Sequence, residues 1–447
     1  MKTLKNNLRD LKRYPSAIIG LVIVFLLLLL SIYAVIKIPY SEAIRLWQGG
    51  EEVWYYNPKN AAPAWFNFFT KNKLPESFAV TVGDDGISKT VVPGESGTST
   101  IEFTYSFDFD YDEYPQEMFL YFTSQYETKQ PFVSVYLVTP DEREIRISDF
   151  GVSQKQTYRF SQDEKLVKKY KGLTVMEGLF SNPDSESITP LKGTYQLIIK
   201  GLTFEPDSDI DVEFVFHGVL YGLAGTDHMR RDLMVPLLWG TPIALAFGLA
   251  AALGTALLTM IISAIGSWYG GWVDRLIQQI TEINMVLPFL AILVMIGTLY
   301  SRSIWVILGA TILLSIFSGS IKSYRAIFLQ VKESTYIEAA RAYGASDMRI
   351  VFKYLIPRMI PMLIPNLVSS VPSFVFLEAS LAILGLGDPV LPTWGKVIND
   401  AQAFGAIYKG FYYWILEPAS LLMITGLGFA MLGFALDRIY NPRLRDM

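Results

Sequence analysis

From Leu233 to Val273 no residue carries a charge. A helix crosses a hydrocarbon core of about 30 Å with roughly 20 residues at 1.5 Å each, so this run is longer than one crossing needs. A chain holding such a run must be read with lipid as one of its solvents. The run divides into an interfacial lead-in and a membrane helix near Pro242 to Ile265. Ala17 to Ile36 is a second uncharged stretch, and apolar segments near Gln279 to Tyr300, Ile304 to Ser320, Met359 to Leu384 and Tyr412 to Leu436 complete a set of six crossings. A cleaved leader in place of the first helix would need a shorter apolar region and a small-x-small site, which SIYAVIKIPY does not offer. The first helix is therefore expected to stay.

Charge fixes the sidedness expected of those crossings. Lys2, Lys5, Arg9, Lys12 and Arg13 precede the first apolar segment, opposed only by Asp10. Lys332, Arg341, Arg349, Lys353 and Arg358 lie in a later polar loop, and Arg438, Arg443 and Arg445 close the chain. Six crossings put all three clusters on one side, which the positive-inside rule identifies as the cytoplasm. The reading is a multi-pass cell-membrane protein with both termini cytoplasmic. Arg230 and Arg231 fall on the opposite side, next to a long domain whose translocation is less sensitive to charge.

Between about Pro39 and Gly225 the pattern changes. IEFTYSFDFDYDEY alternates strictly, with Phe103, Tyr105, Phe107, Phe109 and Tyr111 on one face and Glu102, Asp108, Asp110 and Asp112 on the other. PFVSVYLVTPDEREIRI, GTYQLIIKGL and DIDVEFVFHGVLYG repeat the period, with GDDG, PGESG and TPDE as turns. Several short strands of this kind predict an extracytoplasmic, all-β, sandwich-like domain. Asp108, Asp110, Asp112 and Glu113 could offer oxygens to calcium, but no glycine-containing loop of the EF-hand type accompanies them, and an acidic solvent face is the better account. Trp47, Trp54, Tyr55, Tyr56 and Trp65 could stack on sugars; core or membrane-interface positions are favoured.

The polar island at Lys332 to Pro365, KESTYIEAARAYGASDMRIVFKYLIPRMIPMLIP, reads as a cytoplasmic helix-turn-helix. Thr335 and Glu338 have the spacing of a capping box, placing a helix start near Tyr336. Gly344 is placed to end that helix in a left-handed conformation, and Ser346 to cap a second one with Ile350, Val351, Tyr354 and Leu355 on its apolar face. Pro357 limits how the second helix continues. On these grounds alone, a set of caps with topology signals and a docking surface are equally supported.

Glu338-Ala339-Ala340, then Gly344, then Ile356-Pro357, resembles the EAA loop of ABC importer permeases, with Tyr354 and Ile356 standing where that motif usually has isoleucine and leucine. AGTDHMRRDL resembles the GTD-x-x-GRD entry to the second helix of the C-type permease subunit of dipeptide and oligopeptide importers, with Arg230 in place of glycine. YGGWVDRL, LEASLAILGLG with PTWG, and NPRLRDM resemble three further stretches of that family. The resemblance covers the first helix and about Gly225 to Met447, and leaves the β domain outside it. It implies a type I importer permease fold divided as 1–38, an inserted domain 39–224, and a core 225–447 carrying the coupling loop 332–358. It also implies that Glu338, Ala339, Ala340, Gly344, Ile356 and Pro357 form the surface on which ATPases act.

The chain lacks G-x-x-x-x-G-K-[ST], since Gly395-Lys396 is followed by Val397. ATP and magnesium are therefore expected in partner subunits and no cofactor on this chain, which acts as a non-catalytic translocating subunit. The implied partners are a homologous permease, two ATPase subunits, an extracytoplasmic substrate-binding protein and the lipid membrane. An acidic pI of about 5.5 excludes the basic footprint of a nucleic-acid binder. The absence of cysteine, with only His217 and His228, excludes thiolate sites and leaves little for a metal centre. Glu282 and Glu378 lie in or near apolar helices and are candidates for lining the translocation path; for Glu378, in LEAS beside small residues, a helix-packing hydrogen bond is the favoured alternative, and for Glu282, nearer a helix end, an interface position is the alternative. Peptides are the expected cargo, with oligosaccharides or nickel as alternatives within the class. A membrane-anchored sensor or adhesion protein is the rival of another class.

Overall fold

A computed structural model describes residues 15–84, 87–182 and 188–440. These fall into two compact units, residues 49–234 and the remainder, against sequence-derived boundaries of 39 and 224. The remainder begins with helix α1 (Pro15–Lys37) and a short amphipathic helix α2 (Tyr40–Gln48).

Residues 49–234 contain two antiparallel sheets. One has the order β1 (Phe78–Val80), β9 (Asp209–His217), β4 (Glu117–Gln125), β7 (Lys155–Arg159); the other has β2 (Ile87–Pro93), β3 (Ser99–Phe109), β8 (Gly193–Thr203), β5 (Phe132–Val138), β6 (Glu144–Gly151). Alternation along β3 buries Ile101, Phe103, Tyr105 and Phe109, which share one core with Met118, Leu120 and Phe122 of β4 and Phe214 and Phe216 of β9. The Tyr105 hydroxyl donates to the Val212 carbonyl at 2.5 Å, satisfying a buried polar tip between the sheets.

Strand β3 stops at Phe109, so Asp110, Tyr111 and Asp112 lie beyond the alternation. Asp110 pairs with Lys73 at 3.1 Å, Asp112 with Lys192 at 2.7 Å, and Asp108 accepts from Thr194 at 2.7 Å. These carboxylates answer to lysines and a hydroxyl. The expected all-β composition needs correction, because helices α3 (Glu164–Lys169) and α4 (Val175–Phe180) lie between β7 and β8. Asp163 accepts from the Lys165 and Leu166 amides to start α3, and Thr174 with Glu177 forms a full capping box on α4. Val175, Met176, Leu179 and Phe180 then join the common core. Gly178 leaves room for the Tyr170 ring, which a Cβ there would meet at 2.2 Å.

The second unit is helical: α5 (Met234–Tyr269), α6 (Gly271–Val286), α7 (Phe289–Leu299), α8 (Ile304–Ile316), α9 (Gly319–Lys332), α10 (Thr335–Ala342), α11 (Asp347–Ile350), α12 (Ile356–Leu381), α13 (Trp394–Phe404) and α14 (Tyr413–Tyr440). Among the described residues four helical stretches are long and apolar enough to cross a membrane: Pro15–Lys37, Met234–Tyr269, Asp347–Leu386 and Tyr413–Ile439. The pairs α6/α7 and α8/α9 are bent by 80° and 47° and raise the number to six if each pair is one span. The lead-in expected before Pro242 is itself helical, continuous with α5, so Pro242 lies inside that helix. Likewise the stretch expected from Met359 begins a dozen residues earlier, at Asp347.

Candidate functional site

The polar island folds as a helical hairpin. Its turn is a Schellman motif: Gly344 has φ +76°, its amide donates to the Arg341 carbonyl at 2.9 Å, and the Ala345 amide donates to Ala340 at 3.0 Å. Ser346 is the N-cap of α11 in extended conformation, with Asp347 in the first turn. Ile337, Ala340, Ile350, Val351, Leu355, Ile356 and Met359 pack in one cluster with Met260, Ala264 and Trp268 of α5 and Tyr324 and Phe328 of α9. The Lys332 ammonium donates to the last carbonyls of α5, Trp268 at 2.8 Å and Ser267 at 3.2 Å, where the helix dipole favours a cation. The Arg341 guanidinium lies 4.4 Å from the Trp268 ring centroid. The hairpin is thus packed against the C-terminal parts of α5 and α9.

Its outer side is free of such packing. Glu338, Ala339, Tyr343, Gly344 and Pro357 are exposed, Tyr343 at 92%. A Cβ at Gly344 would meet nothing within 4 Å. Three expectations are corrected. The N-cap of α10 is Ser334, one residue before Thr335, and its hydroxyl turns back to the Val331 carbonyl, so Glu338 is not half of a capping box. Ala340 and Ile356 face inward, at 7% and 8% exposure, and support the surface from beneath instead of forming it. Tyr354 is exposed and does not belong to the apolar face of the second helix.

Pro357 does not end that helix. Residues Val351–Leu355 form one wide turn with hydrogen bonds five residues apart, and α12 continues from it. A proline removes one amide donor and crowds the carbonyl four residues back. The wide turn relieves both, so α12 runs on to Leu381, and a second wide turn follows in which Gly385 leaves the helical conformation at φ +84°.

The two candidate path carboxylates are not brought together. Glu282 is exposed and pairs with Lys322 at 3.2 Å. Glu378 is buried beside Thr393, whose hydroxyl caps α13 by accepting from the Lys396 amide at 3.2 Å. Around it, Gly395 approaches the Ala379 backbone so closely that a Cβ would sit 2.7 Å away. Trp394 donates to the Leu237 carbonyl at 3.0 Å and fills the space left by Gly240. The LEAS and PTWG segments therefore meet as a packing joint, with Glu378 buried inside it.

A cavity of about 400 Å³ lies elsewhere, where the two bent helix pairs face α5 and α12. Thr255, Thr259, Asn284, Ser318, Tyr324, Asn366 and Ser370 contribute to its wall, which holds amides and hydroxyls but no charge. Neither Glu282 nor Glu378 reaches it. Asn284 donates from Nδ2 to the carbonyls of Leu314 and Phe317, both at 2.8 Å, replacing partners lost where α8 breaks. Thr255 Oγ1 is buried there without a partner among the described residues. Broken helices around a polar cavity are a recurrent transporter arrangement. The cavity was missed in the sequence because uncharged amides in apolar segments read as packing residues. The interruptions at Pro288 and at Ser318-Gly319 were the available signal.

Residues 256–446 match the family described as binding-protein-dependent transport system inner membrane component. The glutathione transport system permease protein GsiD of Shigella flexneri is 33% identical over 49% of this chain and 72% of its own length. The chain belongs to this permease family. The oligopeptide permease OppC and the dipeptide permease DppC of Bacillus subtilis are each 29% identical over 49% of the chain, covering 72% and 68% of their own lengths. The hairpin, the packing joint and most of the cavity wall lie within the matched family residues, whereas residues 49–234 lie outside them. The chain is a multi-pass membrane permease of binding-protein-dependent import.

Proposed function

We propose that this permease carries peptides inward by alternating access, and that ATP is hydrolysed by two partner ATPase subunits acting on the hairpin. The observation that carries the reading is the two-sided hairpin: Glu338, Ala339 and Gly344 are open to a partner, while Ile337, Ala340 and Leu355 are packed onto α5 and α9. A rigid-body push on such an element tilts the helices to which it is fastened. ATP and magnesium belong to the partner subunits in this reading. A homologous permease completes the passage, and an extracytoplasmic binding protein delivers cargo.

Each bent pair counts as one span, giving six crossings. Both termini and the hairpin are then cytoplasmic and the β unit extracytoplasmic, an arrangement supported by the lysine and arginine distribution. Peptide cargo draws support from the relatives named for oligopeptide, dipeptide and glutathione transport. It also suits the uncharged cavity, whose amides and hydroxyls match a peptide backbone better than a metal cation. The test is ATP-driven uptake by the assembled transporter in proteoliposomes, with labelled peptides, oligosaccharides and nickel offered separately. Accumulation of peptides alone supports the reading; accumulation of nickel or oligosaccharide alone overturns the cargo, and transport without ATPase subunits overturns the mechanism.

A further inference from the structure

We propose that Trp65, Phe68, Phe69 and Leu223 form a hydrophobic foot by which the β unit inserts into the bilayer interface. Phe68 and Phe69 are exposed at 86% and 82% and Leu223 at 70%, although each is a residue that folding normally removes from water. They are not on a loose loop. The Ala62 amide donates to Val219 at 2.9 Å, the Tyr221 amide to Ala62 at 2.8 Å and the Ala64 amide to Gly222 at 2.8 Å, stitching the two segments together. The Trp65 indole N–H donates to the Leu223 carbonyl at 2.9 Å, and its ring lies 6.1 Å from that of Phe69. Asn67 brackets the following loop, accepting from the Leu74 amide at 2.9 Å and donating to the Leu74 carbonyl at 3.1 Å. The apolar side chains are thereby held out by a built scaffold.

Two observations identify lipid as the occupant. The first is chain continuity: the Leu233 amide donates to the Gly225 carbonyl at 3.1 Å. At about 3.5 Å per residue, Leu223 therefore lies within roughly 15 Å of Met234, the first residue of membrane helix α5. The second is composition. Tryptophan and phenylalanine with the exposed Lys71 two residues on make the set that settles at headgroup depth, rings among the upper acyl chains and ammonium at the phosphates.

The chain contains no cysteine, so single nitroxide labels can be placed at will. Phe68→Cys and Phe69→Cys would be labelled in the full chain in nanodiscs containing anionic lipid, with Val91→Cys, exposed on β2, as the water-facing control. The expected result is an oxygen-to-nickel collision ratio at both positions at least about threefold above the control, as for a side chain buried ~5–10 Å into the headgroup boundary. A ratio equal to the control overturns the proposal. Low accessibility to both relaxants also overturns it, because that signals a protein partner on the foot. Replacing Lys71 with Glu should lower the ratio at Phe69→Cys, and an unchanged ratio would remove lysine from the account.

Discussion

Glu338→Ala separates a structural role for the hairpin carboxylate from a coupling role. Glu338 is exposed, is not a cap, and has no ion pair among the described residues. Its loss should therefore change the stability of this chain by no more than about 0.5 kcal/mol, the usual range for surface substitutions. A carboxylate that accepts a hydrogen bond from a partner contributes more, about 1.5–3 kcal/mol for a charged group. That corresponds to a loss of roughly 10- to 150-fold in affinity for the ATPase subunits, at 1.4 kcal/mol per factor of ten. The assay pairs thermal unfolding of the variant permease in nanodiscs with titration of the ATPase subunits and stimulated ATP hydrolysis. Unchanged unfolding with weakened association is expected. Wild-type association would refute the coupling role, and marked thermal destabilisation would refute the reading of Glu338 as structurally free.

Further outcomes can be checked on other elements. Gly344→Ala places an alanine at φ +76° with open space around its Cβ, so the cost is conformational, about 1–2 kcal/mol; the melting temperature should fall modestly while the ATPase rate per transported substrate rises. Asn284→Leu keeps the number of side-chain heavy atoms but strands two carbonyls, and should cost about 1–2 kcal/mol in a membrane unfolding assay and slow uptake. Gly240→Ala drives a methyl to 2.2 Å from Trp394 and should destabilise by about 1–3 kcal/mol, read by unfolding in detergent. In the β unit, His217 Nε2 donates to the Tyr56 carbonyl at 3.0 Å and Nδ1 accepts from Arg230 at 3.2 Å, which fixes a neutral ring. Burial, followed by Arg230, pushes its pKa down to about 3. The unfolded chain then binds more protons than the native one between about pH 6.5 and 3, so the contribution is complete above 6.5 and is lost as pH falls, by up to about 5 kcal/mol. His217→Gln should flatten the acid limb of the unfolding profile.

Legibility in the sequence followed the physics of each residue. Gly344 could be read directly, since a left-handed helix end has a residue type of its own. The alternation of Phe103 and Tyr105 gave their strand and its buried face. Arg230 is different: it adopts φ +66°, where the resembled motif has glycine, and it is held there by its guanidinium on the Asn57 carbonyl at 2.7 Å and by Asn57 donating to its own carbonyl at 3.1 Å. Nothing in the local sequence announces those partners, which lie more than 170 positions away. Glu378 drew attention as an intramembrane charge, but its environment is made by Thr393, brought in by a turn that periodicity does not describe. The caps of α3 and α4 were present at Asp163 and at Thr174 with Glu177, and were obscured by the surrounding two-residue period. Pro357 reads as a stop on local rules, and only the wide turn before it explains why the helix goes on.

In the proposed mechanism, partner ATPases act on the outer side of the hairpin. This is tested most directly by cross-linking from Ala339→Cys, a single cysteine in a cysteine-free chain, to the assembled ATPase subunits in nanodiscs with and without ATP. A cross-link to an ATPase subunit whose yield changes with nucleotide is expected, and none from Phe69→Cys. Absence of the Ala339→Cys cross-link in a complex that still transports peptide would contradict that mechanism.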